Sequence, residues 1–393
     1  MKLNFRSIIS LTNIILLISF IGGVIVNMQY VSWELFAIAS FRVSMATLGI
    51  ITSLGELGYS LIHPLTGKLS DRKGRKIILS LSAVFFIIGS SLLAALFNLF
   101  FLIPAIIVFR IGAALFDPGF YASVDDSVLT GRRGRRFGLN FSIRVGGGVV
   151  AGVLAGFIGL NLGYPYLFAI ITGFSFLLLI IILAFKPVKN SAQRSTPFTN
   201  YIHQDNIKEQ NKIRRRIYLI GALDAFSWSI FYPIFTGMLN LHLHLDVLQI
   251  GLASSLQLLA MVFLLPLCGS LSDKHGRKKI FVLSEGIGFF TILGFLFSTN
   301  YTTILILQLP MAAVGATYVV SFYPFVMDFS PEVKKAEIIG WSTAIRGISS
   351  FPAPFIGGLL FDFFGYNATL ITSALLVLGT ILLIFLIIPT HIK

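Results

Sequence analysis

The sequence predicts an all-α integral membrane protein, with twelve transmembrane helices arranged as two parallel six-helix repeats. Three observations lead there. The 393 residues are 56% hydrophobic and only 12% charged, whereas soluble domains carry about 25% charged residues. Apolar windows long enough to cross a bilayer occur twelve times. A shift of 202 residues lays the second half of the chain on the first. Mean hydropathy, at +0.88, agrees with the composition.

A helix needs roughly 20 apolar residues to cross ~30 Å of hydrocarbon. Such windows fall near 8–37, 44–66, 77–97, 100–124, 138–160 and 164–186, and again near 217–240, 248–268, 280–299, 302–327, 338–361 and 367–388. The first follows a basic start, as a signal peptide would, but it is too long for one and no small-residue cleavage site ends it. Gly and Pro occur inside many windows, which membrane helices tolerate. No segment alternates as a membrane β-strand must. The interval 187–216 is polar and basic and reads as a cytoplasmic linker. It separates a bundle over 1–186 from a bundle over 217–393.

The formal net charge of +14 would suggest nucleic acid in a soluble chain. Its placement says otherwise. Of 30 lysines and arginines, 26 lie at the termini or in the connections after even-numbered spans. Arg42 alone follows an odd-numbered span, and Arg110, Arg144 and Arg346 lie within spans. By the positive-inside rule both termini are cytoplasmic, in a multi-pass protein of the cell membrane. Cys268 is the lone cysteine. No metal or cofactor is expected, and the His242/His244 pair reads as interfacial.

The repeat holds without a gap at unusual residues. Gly49 meets Gly251, Pro64 meets Pro266, Asp126 meets Asp328, Gly138 meets Gly340, Arg144 meets Arg346, and Gly163-Tyr164 meets Gly365-Tyr366. Six spans is an even number, so both copies enter the membrane from the same side. Halves related by an axis along the membrane normal can rock about a central cavity.

One pair of motifs stands out. Gly67-Lys-Leu-Ser-Asp71-Arg72-Lys-Gly74-Arg75-Lys76 lies between spans 2 and 3, and Gly269-Ser-Leu-Ser-Asp273-Lys-His-Gly276-Arg277-Lys278 lies between spans 8 and 9. The glycines permit a tight reversal, and each carboxylate sits among cations at membrane depth, where it needs a partner. The pattern resembles the short-loop signature of the major facilitator superfamily, and the resemblance covers essentially the whole chain. It implies that helices 1, 4, 7 and 10 line the cavity while 2, 5, 8 and 11 flank it. It also implies a gate in which Asp71 meets the start of helix 11 near Gly340 and Asp273 the region near Gly138, with Arg346 and Arg144 assisting. Arg110-Ile-Gly112-Ala-Ala114 is similar to the family's helix-4 arginine motif. The helix-5 stretch Gly146 to Gly156 has the glycines of the drug–proton antiporters but lacks their proline, and small-residue packing suffices to explain it.

The charges inside spans are costly and therefore informative. Glu56 lies about ten residues into span 2, ~15 Å deep at 1.5 Å per residue. Asp117 is two turns beyond Arg110, and Pro118 and Gly119 beside it suggest a local break. Asp224 has Gly22 as its repeat mate, so symmetry does not require it; it is the favoured partner for Arg110 across the halves. Glu285 is expected to snorkel. Trp228, Tyr232 and Tyr323, with Phe231 and Tyr318, are candidate cavity aromatics.

The function expected is secondary transport of a small molecule by alternating access, coupled to protons, with no ATP and no enzymatic step. Few polar side chains on the cavity helices favour export of amphipathic compounds. Uptake of a sugar or organic acid by a symporter or uniporter is the alternative, and a channel is the rival from another class. A monomer is expected.

Overall fold

The computed structural model describes residues 5–95, 98–126, 133–184, 204–328 and 335–387, with side chains omitted at 5–12, 67–68, 71, 118–126, 133–140, 204–212, 327 and 335–339. All regular structure among them is helical, and twelve helices are long and apolar enough to span a membrane. In order they are span 1 (Phe5–Phe41), 2 (Met45–Lys73), 3 (Arg75–Ala94), 4 (Leu102–Asp126), 5 (Arg133–Asn161) and 6 (Tyr164–Ala184). Span 7 (Gln204–Ser229 and Phe235–Leu243), 8 (Val247–His275), 9 (Arg277–Leu296), 10 (Tyr301–Asp328), 11 (Lys335–Ser350 and Ala353–Phe364) and 12 (Tyr366–Ile387) follow. Span 7 begins within the interval expected to be linker, so residues 204–216 are helical.

The turns carry the repeat into the backbone. Gly74 and Gly276 each form a one-residue connection between two helices, at φ +91° and +88°. That region of conformational space is closed to most L-residues, which is why glycine stands at both places. Arg42 and His244, the non-glycine residues with positive φ, are also repeat mates. Span 8 starts on a capping box, with Asp246 accepting from Gln249 N and Gln249 accepting from Asp246 N. These two bonds satisfy backbone donors that no carbonyl within the helix can reach.

Two spans are broken, and neither break is where the sequence suggested. Span 4 runs through Pro118 and Gly119 as one helix. One missing N–H bond is accommodated there, because unwinding would leave more backbone unpaired in lipid. Span 7 instead breaks at a 3-10 turn over Tyr232–Ile234, built on Pro233, and span 11 breaks at Phe351–Pro352.

The halves meet along two pairs of flanking spans. Spans 5 and 8 cross at Gly152 against Gly251 and at Gly156 against Leu248. Spans 2 and 11 cross at Gly49 against Pro354, Gly358 against Met45, and Gly347 against Ser60. A Cβ at any of these glycines would overlap the partner, so backbones approach as small residues allow. The first two contacts of each pair are related by the same 202-residue shift. The contact continues toward the termini, where Phe141 packs with Leu265 and Cys268 and Gly340 lies against Pro64.

Candidate functional site

Among the described residues five buried or half-buried carboxyls are held between spans, and four of them form two clusters, one in each half. In the N-terminal half Glu56 pairs with Arg110 (span 2 to span 4), and Asp117 pairs with Arg144 at 2.6 Å (span 4 to span 5). Tyr59 donates to Asp117 at 2.8 Å and lies under the Arg110 guanidinium. A small cavity of about 30 Å³ opens beside Glu56 and Arg110, walled by Tyr30 and Trp33 of span 1 and by Pro233 of span 7. Gln29 Nε2 and Thr52 Oγ1, on the same wall, are buried without a hydrogen-bond partner. Unsatisfied donors in such a place are available to a bound molecule.

In the C-terminal half Arg346 of span 11 bonds Asp224 of span 7 at 2.5 Å and the Gly221 carbonyl at 3.0 Å. Its guanidinium lies over the rings of Tyr318 and Phe322, with which it makes cation–π contacts. Asp224 is therefore paired inside its own half and does not face Arg110. Glu285 of span 9 does not snorkel. It is fully buried and accepts from Trp228 Nε1 at 3.0 Å, because span 7 brings both an indole donor and Asp224 to its helix face. Arg144 and Arg346, expected at the gate, are thus spent on carboxylates within the membrane.

The fifth carboxyl was missed from the sequence. Glu34 of span 1 is buried and accepts from Thr236 Oγ1 at 2.6 Å and Gly237 N at 2.8 Å. The break in span 7 creates this site: restarting the helix at Phe235 leaves its first amides free, and an anion is stabilised there. Asp362 of span 11 likewise accepts from Met45 N and Ala46 N at the start of span 2, at 3.0 and 2.8 Å. Both carboxylates join the halves at the end opposite the chain termini. Tyr30 donates to the Tyr232 carbonyl beside them, at 3.1 Å. Tyr30 with Tyr232 and Glu34 with Thr236 are repeat mates, so the pseudo-twofold axis passes between them. Applying the 202-residue shift to span 1 would have found both pairs.

Of the short-loop motif, Gly74 and Gly276 make the turns described above, and Arg72 and Asp273 are exposed. Arg277 pairs with Asp328 and donates to the Pro324 carbonyl, binding span 9 to span 10 within one half. Gly269 has open space around it, and Arg75 has interactions of its own. The side chain of Asp71 and the surroundings of Gly67 and Gly138 lie outside the described residues. Trp228 holds Glu285, Tyr323 packs on Tyr318 and Tyr232 meets Tyr30, so the aromatic wall of the cavity comes from span 1.

Two six-helix repeats about one axis, with ion-paired carboxylates between the central helices, define a membrane carrier. The chain belongs to the Major Facilitator Superfamily, whose description matches residues 15–215 and 217–392. Members of this family are transporters of small molecules and not enzymes. The chain is 34% identical to the multi-drug resistance efflux pump PmrA homolog of Lactococcus lactis over 136 residues, 34% of this chain and 33% of that protein. It is 22% identical to the multidrug resistance protein MdtG of Proteus mirabilis over 342 residues, 84% of this chain and 82% of that one. Among solved structures, the inward-open xylose transporter XylE of E. coli superposes with a TM-score of 0.76 at 15% identity, covering 97% and 96% of the two chains.

Proposed function

We propose that this carrier exports amphipathic small molecules from the cell by alternating access, in exchange for protons. The observation that carries the reading is the cavity beside Glu56 and Arg110. At about 30 Å³ it admits little more than a water in the described conformation; once the halves open, its Tyr30 and Trp33 walls offer ring faces to a planar apolar body, and the ion pair with the Gln29 and Thr52 groups offers a polar edge. The similarity to PmrA and MdtG, both named for multidrug resistance, supports efflux. By the positive-inside rule both termini face the cytoplasm, so the end where Glu34 and Asp362 join the halves faces outward. Asp71 and Asp273 gate the cytoplasmic end, and the protein works as a monomer. Arg110, Glu56, Asp117 and Asp224 bind or couple, because charges kept in a membrane interior need a function or a partner that moves.

Proteoliposomes containing the purified chain test this through the sign of the gradient. Antiport predicts that an acidic lumen drives a planar lipophilic dye inward. Accumulation of a sugar or organic acid with the acid outside would replace the export reading with uptake by symport. Steady unitary currents would replace both with a channel.

A further inference from the structure

The two halves differ in charge balance. In the N-terminal half each carboxylate of the cluster has its own arginine, Glu56 with Arg110 and Asp117 with Arg144. In the C-terminal half Arg346 bonds Asp224, and Trp228, one turn further along the same face of span 7, donates to Glu285 of span 9, which brings the two acids together between these helices. Both carboxyls are 0% exposed. Arg346 and Trp228 take one oxygen of each. The remaining oxygens, Asp224 Oδ1 and Glu285 Oε1, have no donor.

Two neighbouring carboxylates inside a low-dielectric interior repel, and one arginine neutralises only one of them. A single proton removes the repulsion, balances Arg346 and supplies the donor that the orphaned oxygens lack. We propose that Asp224 and Glu285 bind one shared proton, and that this pair is the proton-binding site of the carrier. The second half of that statement rests on the exchange reading above; the first does not.

The surroundings fit such a role. Span 11 contributes Arg346. Span 10 contributes Tyr318, whose hydroxyl is buried without a partner and interacts electrostatically with Asp224, Glu285 and Arg346, and Tyr323 behind it. Span 12 brings the Ser373 and Thr380 hydroxyls, which bond to Ser227, and no charge. Cys268 of span 8 packs on Ala316 of span 10, away from the pair. When the proton leaves to water, the Tyr318 hydroxyl is a donor within the cluster for the second carboxylate.

Infrared spectroscopy of the purified full-length protein at neutral pH, in H2O and D2O, reads the C=O stretch of a protonated carboxyl. Removing either acid leaves the other ionised against Arg346. Asp224→Asn and Glu285→Gln are therefore each expected to abolish one such band, of the same intensity. Retention of the full wild-type signal in either folded variant overturns the shared proton. Should Asp224→Asn fail to fold, Glu285→Gln, which keeps the Asp224–Arg346 bond, decides alone. In proteoliposomes Glu285→Gln is expected to exchange substrate without a gradient and to lose accumulation under one. Accumulation retained by Glu285→Gln would overturn the coupling role even if the band is lost. A wild type that accumulates nothing would refute the exchange reading, while the band still decides the pair.

Discussion

At the scale of single residues, the membrane makes each charge declare a partner. Glu56→Gln would leave Arg110 in the interior without a counter-ion. Breaking a fully buried pair costs about 3–5 kcal/mol; here each side chain is 26% exposed, so about 1–3 kcal/mol is expected, read as a lower melting temperature in detergent. Glu56→Gln with Arg110→Gln should recover part of the loss, which a double-mutant cycle would measure. The sequence identified Glu56, Arg110, Asp117 and Asp224 because a lone charge in an apolar run is conspicuous. Their pairing was not legible, since it depends on which helix faces which. Glu34 was passed over, and Glu285 was expected to snorkel, for a related reason. Each lies toward one end of its apolar window, where a carboxylate could equally reach water, and only burial by span 7 decides that it does not.

At the scale of elements, glycine positions carry the architecture and were the most readable feature of the chain. Gly276→Ala would place a Cβ at φ +88°, a backbone strain of about 1–3 kcal/mol. A destabilised protein is expected, while Gly269→Ala, with open space around it, should leave the melting temperature unchanged. Gly251→Val would wedge spans 5 and 8 apart, because even a Cβ there overlaps the Gly152 backbone. The breaks were harder to foresee. Pro118 and Pro233 look equivalent in sequence, yet only the second interrupts its helix. Its freed amides find Glu34, so the cost of unwinding is offset by a carboxylate contributed by the other half.

At the scale of the whole molecule, the halves are joined at the end opposite the termini by two carboxylates on helix N-termini. Glu34→Ala would leave the Thr236 hydroxyl and the Gly237 amide unpaired in the closed state, at about 1–3 kcal/mol per buried donor. One such loss shifts the ratio of open to closed forms by roughly 5- to 150-fold. Asp362→Ala, which removes a helix cap worth about 0.5–2 kcal/mol, should act in the same direction. Faster alkylation of a cysteine introduced at Asn240, in a Cys268→Ser background, would report both. The twelve spans, the repeat and the tight turns were legible because they are written in period and composition. Which end is closed is a balance of a few contacts between halves, and no local pattern encodes it.

The central claim is that the halves, related by the pseudo-twofold axis that passes between Tyr30–Tyr232 and Glu34–Thr236, tilt against each other so that their two ends open alternately. Two pairs of repeat mates report on it directly: Arg42 with His244 at one end, and Arg72 with Lys274 at the other, all exposed. Spin labels at each pair, again without Cys268, give the distances by double electron–electron resonance as pH or substrate is varied. Rocking predicts opposite changes, with the Arg42–His244 distance lengthening under the conditions that shorten Arg72–Lys274, and Glu34→Ala shifting both toward the values of the form open at the Arg42–His244 end. Distances that change together, or a pair that stays fixed while transport proceeds, would contradict it.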